Sequence, residues 1–241
     1  MKRAVLFTVL CLTLAPGMVW ANPIQGTTNP NAFTQDFINW CQFGCPSTTS
    51  APAFTSPQPW VSNGGAIGTI GLHNGGFQGF YSFKQGPLLG INWVGNFPSG
   101  MGAIYNGYQF LFQQAGIRIT FASAVPGVGA YIQGNAHGPF SGTITLFDQN
   151  GNPLGSFTAN GVSDNNVGTA LFIGAYGVGP IFAAQFDATD AAGHDDFAIG
   201  TLKFGPPIPE PSSLLLFASS ALGVAGVIRR RFNRGMLREP S

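Results

Sequence analysis

The chain has 241 residues, a formal net charge of +1, 8% charged residues and 44% hydrophobic ones. The total misleads about the body: two of the ten basic residues precede residue 22 and five follow residue 228, leaving Lys84, Arg118 and Lys203 against seven aspartates, a balance of −4. That excludes a basic face for nucleic acid, and 35 glycines with 18 prolines fall short of the share that marks a disordered chain.

At the start, Lys2 and Arg3 precede an apolar core from Ala4 to Ala15, then Pro16-Gly17 and Val19-Trp20-Ala21. This order predicts a cleavable signal peptide over 1–21, cut by signal peptidase after Ala21. Residues 22–59 read as a lead-in. Phe33, Phe37 and Cys41 recur every four residues with Trp40 alongside, which predicts a short N-terminal helix, and Cys45 to Pro59 is a linker rich in proline, serine and threonine. Cys11 leaves with the signal, so Cys41 and Cys45 are the mature cysteines, an even pair expected as a disulfide around a small loop in an oxidising compartment.

Residues 60–205 carry strand signals at the spacing of a sandwich. Phe77, Tyr81 and Phe83 share one strand face, as do Tyr108, Phe110 and Phe112, and Ile117, Ile119 and Phe121. Ile144 and Leu146 alternate with Thr143, Thr145 and Phe147, and Asp148 to Asn152 then predicts a hairpin turn of type I′ at Asn150-Gly151. Leu154–Ala159, Thr169–Tyr176, Ile181–Ala188 and Phe197–Phe204 bring the expected number of strands to about ten. The predicted fold is all-β: an antiparallel two-sheet β-sandwich, jelly-roll-like, with the helix at its N-terminal edge.

Catalytic signals are sparse. His73, His137 and His194 stand at no metal-ligand spacing from one another, neither a nucleophile elbow nor a zinc-protease helix occurs, and there is no glutamate between residues 22 and 205. A glycoside hydrolase working with Asp187, Asp190 or Asp196 would need two carboxylates within about 10 Å in one cleft. Asp187, Asp190, Asp195 and Asp196 are the one acidic concentration, with enough oxygens for a weak calcium site, but aspartate and glycine equally suit a solvated hairpin loop, the reading favoured here. Trp60, Trp93, Tyr105 and Tyr131 are candidates for stacking on sugar rings, although a core position is the commoner fate of such side chains. The threonines are scattered along the sequence and no cofactor motif occurs, so no cofactor is expected.

The tail, 206–241, carries the strongest signal. Pro209-Glu210-Pro211 is followed by an uncharged run from Ser212 to Ile228, whose 17 residues would span roughly 25 Å as a helix, enough for a transmembrane helix. Arg229, Arg230 and Arg231 follow as a membrane stop, which keeps this end on the cytoplasmic side. The triplet, the apolar run and the arginine cluster, in that order, resemble the PEP-CTERM sorting signal of Gram-negative bacteria. The resemblance implies removal of the tail by an exosortase, with the protein passed on to the cell surface or matrix. The segments Leu146–Phe157, Leu171–Ala188 and Asp195-Asp196-Phe197 also resemble, loosely, the sandwich body of many proteins with that signal. The expected protein is therefore exported across the inner membrane, transiently anchored there and non-enzymatic, with exosortase and signal peptidase as partners. The alternative is a module that binds exopolysaccharide.

Overall fold

The computed structural model describes residues 23–33, 36–44, 53–54, 57–72, 80–84, 95–107 and 116–206. The signal peptide, Cys45, Phe77, Trp93, the stretch from Tyr108 to Phe112 and the tail from residue 207 onward lie outside the described residues. Among those described, twelve strands form one antiparallel system: β1 (Gln25–Thr27), β2 (Asp36–Ile38), β3 (Ala53–Phe54), β4 (Gln58–Val61), β5 (Ile67–Leu72), β6 (Phe80–Lys84), β7 (Gly102–Tyr105), β8 (Ile117–Gly134), β9 (Gly138–Phe147), β10 (Pro153–Ser163), β11 (Leu171–Asp190) and β12 (Phe197–Phe204). The all-β expectation holds.

Two long strands organise the rest. The 18 residues of β8 and the 20 of β11 run antiparallel along each other, and each changes its other neighbour partway. Ile117 to Phe121 of β8 pair with β5, whereas Val128 to Gly134 pair with β12. On β11, Gly174 to Tyr176 pair with β1, whereas Ala183 to Asp190 pair with β9. The pairings therefore sort into two wings. One reads β10-β9-β11-β8-β5-β4; the other reads β1-β11-β8-β12, with β2 and β7 on β12, then β6 and β3.

The change of wing happens at matching irregularities. Between Tyr176↔Gly127 and Ile181↔Val125, β11 carries extra residues, and between Ile181↔Val125 and Ala183↔Thr120, β8 does. Gly177 and Gly179 adopt φ of 87° and 95°, conformations that glycine enters without steric penalty, and Pro126 and Pro180 sit where ladder donors can be spared. The bend folds one wing over the other. Phe121 of the first wing meets Phe204 of the second at a ring distance of 5.3 Å, and Trp60 of β4 reaches Phe204 at 6.1 Å. Ile117, Ile119, Phe121, Val128, Ala130, Ile132, Ile144, Leu146, Ile199 and Leu202 belong to this one core. On β8 and β9 their spacing of two is the period of a strand with one face inward, whereas Ile199 and Leu202, three apart on β12, flank an irregularity in its pairing with β8.

Where a helix was expected, the structure has strand β2 and a short 3-10 turn, Trp40–Phe43, capped by the Asn39 side chain. The four-residue spacing had no helical cause. Phe33 is fully buried against the second wing, where glycines make a floor: a Cβ on Gly174 would lie 2.6 Å from the Phe33 ring and one on Gly127 2.5 Å. Phe37 is 39% exposed on β2, and Cys41, a residue of the turn, is disulfide-bonded. Trp40 is buried and donates from Nε1 to the Gly200 carbonyl at 2.7 Å. Long-range pairing and burial thus decide this segment, which joins the body through β1 on β11 and β2 on β12.

Phe204→Ala removes the ring shared by Trp60 and Phe121 and is expected to lower the unfolding free energy by about 3–5 kcal/mol. Phe37→Ala, on the exposed side of β2, should change it by about 0.5 kcal/mol or less. Urea titration followed by tryptophan fluorescence compares the two.

Candidate functional site

The acidic concentration resolves into a turn. Asp190 N donates to His194 O at 3.0 Å, Gly193 N donates to Asp190 O at 3.1 Å, and Gly193 takes φ of 83°. The Asp190 carboxylate accepts from Ala192 N and His194 N through Oδ1, and its Oδ2 lies 2.8 Å from His194 Nδ1. The loop between β9 and β10 repeats this atom for atom in kind: Asp148 Oδ1 accepts from Asn150 N and Asn152 N, Oδ2 accepts from Asn152 Nδ2, and Gly151 has φ of 83°. Only the glycine enters positive φ, so this is a turn closed by a left-handed glycine rather than the expected type I′ pair, because the aspartate side chain gathers the turn amides on one side. Ser62 to Ala66 is a third such loop, with Ser62 Oγ accepting from Ala66 N and Gly65 at φ of 87°.

The other aspartates are taken up elsewhere. Asp187 accepts from Gln185 Nε2 on β11, and Asp196 accepts from Tyr105 Oη at 2.8 Å and Asn135 Nδ2 at 2.6 Å. The Asp195 carbonyl accepts from Asn106 Nδ2. Among the described residues no three His, Cys, Asp or Glu side chains converge as a metal set would. Of the calcium candidates Asp187, Asp190, Asp195 and Asp196, the Asp190 carboxylate closes the loop that the sequence reading favoured, and those of Asp187 and Asp196 bond to Gln185, Tyr105 and Asn135. Burial works to raise the Asp190 pKa, but the hydrogen bonds from His194 and Ala192 and the charge of His194 outweigh it, and the net direction is down. Asp148 is also held below the usual carboxylate range, chiefly by Asn152.

The aromatic platform does not form from the candidates described. Trp60 is 1% exposed and packs edge-on against Phe121 at 5.6 Å, the fate expected of a tryptophan on an inward strand position. Tyr131 lies beside Phe172 at 5.3 Å on the outer face of the second wing, where Phe33, Phe172 and Tyr176 cover the glycine floor. Tyr105 packs on Phe97, Ala103 and Ala198 beneath the 95–101 loop.

One feature was hidden in the sequence. Scattered threonines become neighbours through the β9–β10 register, with Thr143 opposite Thr158 and Thr145 opposite Ser156, each pair 2.9 Å apart at the hydroxyls, and Ser141 opposite Asn160. Ser156, Thr158 and Asn160 are exposed. The signal lay in the spacing of two in Ser141-x-Thr143-x-Thr145 and Ser156-x-Thr158-x-Asn160, which becomes a surface only when the pairing is known.

The root of the tail is firmly seated. Phe204 is 4% exposed, Lys203 Nζ donates to Pro30 O at 2.7 Å, and Gly205 N donates to Gly127 O at 3.0 Å. Pro206 is the last described residue. The sorting triplet starts three residues later.

Burial, then the hydrogen bond and charge of Asp196, push the Tyr105 pKa far above its usual 10.0. The neutral phenol is thus favoured in the folded state, so the stability it contributes is complete below the unfolded pKa and is lost progressively as pH rises from that value toward the higher folded one, an interval in which only the unfolded chain ionises. Stability measured by urea titration should fall between about pH 8 and about pH 11, and fall less in Tyr105→Phe. An equal fall in both proteins would contradict the assignment.

No curated protein matches the chain. Among solved structures it is similar to a DUF4465 family protein from Bacteroides caccae, at 12% identity over 71% of this chain and 100% of that one, with a TM-score of 0.39, a likeness too distant to carry an argument. Residues 207–231 match the family description "PEP-CTERM protein-sorting motif". The triplet Pro209-Glu210-Pro211, the apolar run and the arginines Arg229 to Arg231 all fall within that match, and the chain is thereby a bearer of the PEP-CTERM sorting motif.

Proposed function

We propose that this is an exported, non-enzymatic surface or extracellular-matrix protein whose β body is held transiently at the inner membrane by the run 212–228 and then released by an exosortase. Signal peptidase removes residues 1–21 after Ala21, and Pro209, Glu210 and Pro211 are the label that the exosortase reads. The body is a two-sheet sandwich, jelly-roll-like, with the wings as its layers. The observation that carries the reading is the sorting motif at 207–231, set directly behind a strand that is locked into the core. An enzyme would need converging acids, bases or nucleophiles, and the aspartates described are instead engaged in turns and strand ends. Replacing Pro209, Glu210 and Pro211 together by alanine should leave a tail-bearing chain in the membrane fraction of a host with its exosortase. Release undiminished by that change would overturn the reading.

A second reading is favoured by the hydroxyl face: a module for the cell's own exopolysaccharide, bound through Ser141, Thr143, Thr145, Ser156, Thr158 and Asn160 rather than through aromatics. Hydroxyl and amide groups match the chemistry of a glycan, and Asp187, opposite Thr143 in the β9–β11 pairing, adds a carboxylate beside them. The chain should then migrate more slowly in gels containing that polysaccharide, and Thr143→Val with Thr158→Val should restore its mobility. Unchanged mobility of the unsubstituted chain would reject it.

A further inference from the structure

At the bend between the wings, a shallow apolar groove of about 450 Å³ is lined by Ala124, Val125, Pro126, Tyr176, Gly177, Gly179 and Pro180. Ala124, Pro126, Gly179 and Pro180 are exposed on its rim. The first and last described stretches of the chain meet here. Gly205 N donates to Gly127 O, and a Cβ built on Gly127 would lie 3.0 Å from Tyr176 Cβ and 3.2 Å from Gly205 O, so the root of the tail adjoins the groove wall. On the other side, Gln25 pairs with Tyr176, and a Cβ on Gly177 would lie 3.6 Å from the Pro23 carbonyl.

Reach then fixes orientation. Five residues, 207 to 211, separate Pro206 from the start of the apolar run at Ser212, a span of at most about 20 Å when fully extended. Seven residues, 16 to 22, separate the apolar core of the signal peptide from Pro23, at most about 27 Å. A compact body of about 185 residues measures roughly 40 Å across. The tail leash is about half that width, so while the tail is in the bilayer the body cannot present its opposite end.

We propose that the groove and its rim, Ala124 to Pro126 and Gly177 to Pro180, form the membrane-facing surface of the anchored protein and rest on the bilayer that the run 212–228 enters. This rests on the anchoring reading above. An uncharged, proline-rich apolar rim suits the headgroup boundary, where apolar groups settle about 5–10 Å deep without crossing. Asp190, the end of β11, lies ten residues beyond Pro180, roughly 33 Å away at the strand rise, and Ala191 in the turn just after it is the natural reference for the far end.

The test uses the tail-bearing chain, oxidised, in vesicles of phosphatidylethanolamine and phosphatidylglycerol, with an environment-sensitive fluorophore on Ala124→Cys or Ala191→Cys and the unsubstituted chain as labelling blank. Both sites are exposed alanines, so neither change disturbs the core. Flotation with the vesicles reports anchoring separately, and a chain that stays behind rejects the anchoring reading and this proposal with it. For the floating chain, a headgroup-quencher lipid is expected to abolish most emission from residue 124, with a blue shift, and to leave residue 191 unchanged. Equal quenching at the two sites, or protection of residue 124 only when exosortase is added to the vesicles, would overturn the bilayer as occupant.

Discussion

The pairing of β8 with β11 through a shared bend is the constraint on which the rest depends. Neither strand could serve both wings without the extra residues around Phe121 to Ala124 and Gly177 to Pro180, because a straight strand keeps one neighbour on each side along its length. Once the bend exists, Val128, Ala130 and Ile132 of one wing are turned to face Ile117, Ile119 and Phe121 of the other, and a single core closes over Phe204. The wing formed by the later half of β8 is covered on both faces. Its outer side is glycine where it meets Phe33, since any side chain at Gly129 or Gly174 would lie under 3 Å from Phe172 or Phe33.

How much of this was readable follows from the range of each interaction. Strands that bury every second residue announced themselves, as Ile117, Ile119 and Phe121 did, because period two is written locally. The hairpin loops were readable too, with Asp148 and Asp190 each three residues before a glycine. By contrast, Gly177 to Pro180 reads as a turn that separates two strands, and only the register across β8 turns it into a bulge within one. The β1 and β2 strands, three residues each, are strands by virtue of β11 and β12, and the phenylalanine spacing from Phe33 to Phe37 mimicked a helix by coincidence. The hydroxyl face was illegible for the same reason: it is a property of pairing.

The functional half divides differently. The sorting motif was legible because it is linear, read by another protein along the chain, and needs no register. The body offers no comparable signature, and its polar side chains are mostly spent on its own loops: Asp36 on Ser62 and Gly64, Asp148 on Asn152, Asp190 on His194, Asp196 on Tyr105. The body is charge-poor, and its last described residue, Pro206, stands three residues before the sorting triplet.

If the tail is an address removed on delivery, the intact mass of the protein recovered from its own host's envelope and medium will show a product that starts at Asn22 and ends between Pro209 and Pro211, bare or carrying an adduct. A surface-exposed product that starts at Asn22 and still ends at Ser241 would contradict it and leave a plain membrane-anchored β domain.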